Sequence, residues 1–227
     1  MPSPNARGTL RDLMRRTVSS AVARTPLRNR LVLRLPGRGR EVALTFDDGP
    51  DPDHTPLLLD ILSEFRARAT FFLVGSRAVQ HPDLIRRIAA EGHSIGNHTH
   101  AHVDCSTLSV DGMMDELSAT DQTFRDAGVE VQNTPFRPPW GRLTVRQSWR
   151  LLTGGRKVVY WSHNPYDFRS DAGEIVRRCR TVRAGDVVLM HDRNSQTRQA
   201  LPEVLAMLTD RGIATVGLAP RGTEVGP

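Results

Sequence analysis

The chain has 227 residues, with 31 basic and 25 acidic side chains, which is enough for one or two domains and a sizeable core. The basic excess belongs to one end. Residues 1–40 hold ten arginines and a single acid, Asp12, so the remainder carries 21 basic and 24 acidic residues, a net of −3. A nucleic-acid-binding domain is expected to carry its own positive face, so a body with a net of −3 argues against nucleic acid as the main substrate, and no 18-residue apolar run offers a membrane span.

In chain order, residues 1–40 form a basic arm. Leu10, Leu13, Met14, Thr17, Val18, Ala21 and Val22 recur at helical spacing and predict an amphipathic helix, with Thr9 as its cap and Pro26 as its stop. Such a helix packs on the body, lies on an anionic membrane surface, or frays. The arm lacks the continuous apolar stretch of an export signal, so the protein is expected to be cytoplasmic or peripheral to the membrane. From residue 41 to 220 strand and helix patterns alternate. Strands are expected at EVALTF, TFFLVG, HSIGNH, an irregular TPFRPPWG, KVVYW, GDVVLMH and IATVGL. Helices fall between them, several opened by proline or closed by glycine, as at Pro56, Gly92 and Gly128. Residues 221–227 read as a tail. Cys105 and Cys179 have no metal-binding spacing and are expected to be free thiols.

The alternation implies βαβ units and a mostly parallel sheet of about seven strands, either a barrel or an open doubly wound sheet. In both, ligands bind beyond the C-terminal strand ends. That is where the polar residues gather. Asp47 and Asp48 end the first strand, NHTHAHVD follows the third, FRPPWG the fourth and WSHNPYDF the fifth, and His191 and Asp192 end the sixth. A closed core would not take them, because unpaired buried charge is costly. His98 and His102 share a side if their loop turns helically. If the loop is extended, His98, His100 and His102 face one way. Two imidazoles and a carboxylate make a divalent-ion site with positions left for water and substrate. The aspartate pair reads either as one metal ligand beside one base, with the bend supplied by Gly49 and Pro50, or as an acidic turn capping the next helix.

Together, TFDDGP, HTHAH, RPPWG, WSHNPYDF and LMHD, in that order from about Glu41 to Leu218, resemble the polysaccharide deacetylases of the NodB-homology type, carbohydrate esterase family 4. The resemblance implies a distorted (β/α) barrel. It further implies that Asp48, His98 and His102 hold one divalent metal ion, zinc by preference, with iron(II) or cobalt(II) as alternatives. Asp47 would be the general base and Arg137 its partner. His191 would be the general acid, oriented by Asp167, and the Trp140 N–H would hold the oxyanion. Leu189 and Phe168 would line the acetyl pocket. The activity implied is removal of an N-acetyl group from an acetylated amino sugar, glycan or glycoconjugate, releasing acetate. A non-sugar amidase of the same superfamily and a non-catalytic carbohydrate-binding protein are the alternatives. The chain departs from the family pattern at Trp140, where tyrosine is usual, at Asn164, where aspartate is usual, and at Phe168, where tryptophan is usual. These changes bear on the substrate groove more than on the proton-transfer groups. No nucleic acid is expected as partner, and residues 1–40 are the candidate contact for an anionic membrane.

Overall fold

The structure, a computed structural model, describes residues 25–37, 39–130 and 134–218. The expected arm helix and the tail lie outside the described residues. The described chain opens with a 3-10 turn, Pro26–Arg30, and a short strand β1, Leu31–Val32, which the sequence pattern does not predict. Strand β2, Glu41–Gly49, is the centre of the sheet and is buried along nearly its whole length, as a strand covered on both faces must be. It runs parallel to β3, Ala69–Leu73, on one side and β6, Val187–His191, on the other. Beyond β3 lies β4, Ser94–Asn97, and β7, Ala214–Thr215, pairs with the start of β2. Because these strands are parallel, their C-terminal ends emerge together, and Asp47 stands in register with His191.

The expected strand at TPFRPPWG is reduced to Phe136, which makes single bridges to Asn97 and to Val158 of β5, Val158–Val159. Pro135, Pro138 and Pro139 have no N–H to give to a ladder. Strand β5 pairs with β1, and His163 bridges Val188 of β6. The fold is an α/β barrel with a mostly parallel sheet, distorted enough that ladder hydrogen bonds do not close it.

Among the described residues seven helices surround the sheet: α1 Thr55–Glu64, α2 Gly75–Ala78, α3 Pro82–Ala90, α4 Val110–Asp126, α5 Val145–Thr153, α6 Ala172–Cys179 and α7 Ser195–Asp210. Side-chain caps start four of them: Ser109, Thr144 in a capping box with Gln147, Asp171 and Asn194. The Asn194 cap starts α7 four residues before the expected Gln199, in a polar stretch where apolar periodicity gives no signal. The single turn α2 is too short for periodicity to reveal. Among the described residues no helix is long and apolar enough to cross a membrane. Both cysteines are free and buried.

Strand periodicity sorts the interior into two kinds of space. Val42, Leu44 and Phe46 of β2, Phe71 and Leu73 of β3, and Val188 and Met190 of β6 pack against the helices. The alternate residues face inward. Ala43, Phe72 and Val187 form a smaller apolar cluster there with Val159, and Thr45 and Asp47 continue the inner face toward the strand ends. The inward face thus grades from apolar to polar along one strand.

Candidate active site

On a regular strand adjacent side chains point to opposite faces. Strand β2 escapes this at its end. Asp47 pairs with Phe72 and Gly49 with Leu73, so Asp48 is the extra residue of a β-bulge. Its φ is 73°, in the left-handed region. A bulge bends the strand and re-aims its side chains. Both carboxylates therefore approach the same imidazole: His98 Nε2 lies 3.8 Å from Asp47 Oδ2 and 3.4 Å from Asp48 Oδ1. The bend that the sequence places at Gly49 and Pro50 occurs one residue earlier, at Asp48 itself.

His98 follows directly on β4. The loop after it is neither helical nor extended, because Thr99 and His102 both take left-handed φ, 66° and 53°. Asn97 fixes the first of these turns. Its Oδ1 accepts from the Thr99 N–H at 2.9 Å, and its Nδ2 donates to Leu117 O and Asp121 Oδ1. The turns bring the His98 and His102 rings to 5.1 Å between centroids and set His102 Nε2 3.0 Å from Asp48 Oδ1. One donor atom from each of Asp48, His98 and His102 lies within 4.8 Å of the others. The donors suit a divalent ion. His98 Nδ1 sits 2.7 Å from the Arg137 carbonyl, which can only accept, so Nδ1 carries a proton and Nε2 is the atom that would face an ion. Burial works against a charge on Asp48, but the hydrogen bonds and charges of His102 and His98 outweigh it and hold its carboxyl far below the usual range. His100 lies apart from the triad, packed where a Cβ on Gly75 would sit.

Arg137 is fully buried on the inner face. One nitrogen donates to Asp47 Oδ1 and to Thr45 Oγ1, both at 2.7 Å. Another donates to the Tyr160 carbonyl at 3.0 Å, and the guanidinium lies 4.2 Å from the centre of the Phe72 ring. Burial lowers the Arg137 pKa, and the charge and hydrogen bond of Asp47 oppose that shift. The pair leaves Asp47 Oδ2 free to face the His98–His102 side.

Across β2, His191 ends β6. Asp167 Oδ1 meets its Nδ1 at 2.8 Å, and Asp167 Oδ2 accepts from its N–H at 2.6 Å. The same carboxylate accepts from the Phe168 N–H and the Thr197 hydroxyl. The cap of α6 is Asp171, so the Asp167 carboxylate is not spent on that helix. Burial alone would lower the His191 pKa. The hydrogen bond and charge of Asp167, with the charges of Asp47 and Asp48, override it and push the pKa up to about 9.

Trp140 takes φ 54°, with its ring edge-on to His102 at 4.6 Å between centroids. Gly141 and Arg142 donate back into the turn, to Pro138 O and Pro139 O, whereas the Trp140 N–H makes no hydrogen bond among the described residues. Leu189 is buried on the inner face two residues before His191. Phe168 is exposed, its ring edge-on to His191 at 5.6 Å. All ten sequence-predicted site residues therefore gather at one rim, around the aspartate pair. Sequence reasoning missed Thr45, Asn97 and Thr197, which hold Arg137, Thr99 and Asp167. Only Thr45 had a legible signal, its position two residues before Asp47 on the same strand face. Of the six non-glycine residues with left-handed φ among the described residues, five belong to this rim: Asp48, Thr99, His102, Trp140 and Tyr166. Strained backbone of this kind collects at functional sites.

Comparison with known proteins points the same way. The family model described as polysaccharide deacetylase matches residues 34–153. A peptidoglycan-N-acetylglucosamine deacetylase of Bacillus cereus is 34% identical over 185 residues, covering 78% of this chain and 86% of that protein. A chitooligosaccharide deacetylase of a Bradyrhizobium strain is 38% identical over 155 residues, covering 67% and 71%. A solved structure of a peptidoglycan N-acetylglucosamine deacetylase superposes with a TM-score of 0.80 at 30% identity, covering 84% of this chain and 91% of that one.

Proposed function

The chain belongs to the polysaccharide deacetylase family, and from that premise we propose that it is a metal-dependent hydrolase that removes the N-acetyl group of an acetylated amino sugar within an oligosaccharide, glycan or glycoconjugate. The observation that carries this reading is the bulge at Asp48. It sets one carboxylate among two imidazoles and leaves the neighbouring carboxylate, anchored by Arg137, within reach of the same space. The names of the relatives support an acetylated amino sugar as the substrate class.

Asp48, His98 and His102 would hold one divalent ion, zinc by first choice since nitrogen and oxygen donors suit it. When bound there, the ion would polarise the acetamide carbonyl and acidify a water. Asp47, kept in place by Arg137, takes the proton of the attacking water. The Trp140 N–H, unused among the described residues, donates to the carbonyl oxygen as it becomes an oxyanion. His191, charged through its contact with Asp167, gives its proton to the departing nitrogen, so acetate and a free amine are released. Leu189 and Phe168, beside His191, would seat the acetyl methyl.

Three measurements bear on this reading. Metal-loaded protein should release acetate from chito-oligosaccharides or peptidoglycan fragments and leave simple cyclic amides intact; the reverse pattern would make it a non-sugar amidase. His102→Ala should lower the bound divalent-ion content, and an unchanged content would remove His102 from the ligand set. Asp167→Asn should shift the alkaline limb of kcat/KM. The His191 proton is present below about 9 and lost above it. Without the Asp167 charge the limb should therefore move down toward the ordinary histidine value of about 6.5. A limb that stays in place would assign the acid role elsewhere.

A further inference from the structure

Asp192 has no part in the chemistry just described, yet its surroundings are unusual. It is fully buried, and among the described residues it makes no ion pair and its Oδ1 has no hydrogen-bond partner. A buried carboxyl left half-satisfied is an expense that a fold does not carry idly. Its other contacts all lead to the aspartate bulge. The Asp192 N–H donates to the Asp47 carbonyl at 2.9 Å, which carries the β2–β6 pairing one residue past His191. Its Oδ2 accepts from the Thr55 hydroxyl at 2.7 Å, and that hydroxyl accepts from the Asp51 N–H at 2.7 Å. The carboxyl also fills the space beside Gly49: a Cβ on that residue would collide with Asp192 Oδ2. Gly49 therefore has no side chain because Asp192 occupies its place.

We infer that Asp192 is a positioning residue, a wedge that ties the Asp47–Asp48–Gly49 bulge to β6 and to the start of α1, and so sets the aim of the Asp48 carboxylate toward His98 and His102. Without the wedge the bulge can relax toward regular strand geometry, which would turn Asp48 away from Asp47. The inference builds on the proposed ion site, and ion affinity tests it without any substrate.

The experiment compares zinc affinity, by competition with a chromogenic chelator, in the wild type, Asp192→Ala and Asp192→Asn, with thermal unfolding of the metal-free proteins as the folding control. Asp192→Ala should bind zinc about 10–100-fold more weakly, the usual loss when a group supporting a metal ligand is removed. Asp192→Asn keeps the planar shape and an acceptor for Thr55 and should restore most of that affinity. A folded Asp192→Ala protein with wild-type zinc affinity would overturn the proposal, and so would equal losses in both variants, which would mean that the carboxyl's charge matters and its shape does not. Should Asp192→Ala fail to fold, Thr55→Val decides: weaker zinc binding supports the wedge and wild-type binding overturns it. A wild type that binds zinc but releases no acetate would count against the deacetylase reading alone, since the zinc comparison does not depend on turnover.

Discussion

Asp47→Asn should spare zinc binding and cut acetate release by about 10²–10⁴-fold, the usual worth of a general base. The substitution is nearly isosteric. The amide oxygen can still accept from Arg137 and Thr45 stays in reach of the guanidinium, so the inner face keeps its packing. The ability to take up a proton is lost. Asp47 and Asp48 are chemically alike and adjacent in the chain, so this variant distinguishes their roles: Asp48 lies 3.0 Å from His102 and 3.4 Å from His98, whereas Asp47 gives one oxygen to Arg137 and keeps the other 3.8 Å from His98. Asp48→Asn should show the opposite signature, with ion content falling along with turnover. The pair of measurements, metal content and initial rate, checks both. Full turnover in Asp47→Asn would leave the site without its proposed base. Loss of metal in that variant would move Asp47 into the ligand set.

The parallel sheet, and the gathering of polar residues at one rim, were legible because apolar strand patterns alternate with helical ones and each candidate residue stands just past a strand. The division of β2 into an outer face of Val42, Leu44 and Phe46 and an inner face ending in Asp47 is also the plain consequence of a two-residue period. What the pattern could not give is the geometry that makes the site work. A bulge costs one unpaired residue and has no compositional mark when the residue is aspartate, so the sequence suggests a bend at Gly49 and Pro50 and the structure puts it at Asp48. The histidine loop turns twice through left-handed backbone at Thr99 and His102, residue types that periodicity would never nominate for it. Strand β1 escaped notice because two residues are too few to show a period. The expected strand at TPFRPPWG failed for a reason the sequence did contain: three prolines in five residues cannot sustain a ladder. Thr197 and Asp192 act through contacts with residues 30 or more positions away, and Asn97, which holds Thr99 two residues on, is itself fixed by Leu117 and Asp121; only the folded chain brings such partners together.

Arg137→Met should destabilise the protein by about 3–5 kcal/mol, the cost of breaking a buried ion pair from one side. Methionine fills much of the same volume against Phe72 but offers no donors. The substitution leaves Asp47 buried without its cation, and it strips the Thr45 hydroxyl and the Tyr160 carbonyl of a partner. Arg137→Lys should fare only somewhat better, because a single ammonium cannot serve acceptors on two sides of the barrel as the planar fork does. The double variant Arg137→Met with Asp47→Asn is the informative one. Once the stranded charge is gone, part of the lost stability should return, and the two changes should couple by about 0.5–3 kcal/mol in denaturant unfolding. Activity should not return, since the base is missing. Additive losses would mean that Arg137 stabilises the barrel through its carbonyl contacts alone. In that case its contact with Asp47 would be a by-product of packing and would not be what keeps the base in place.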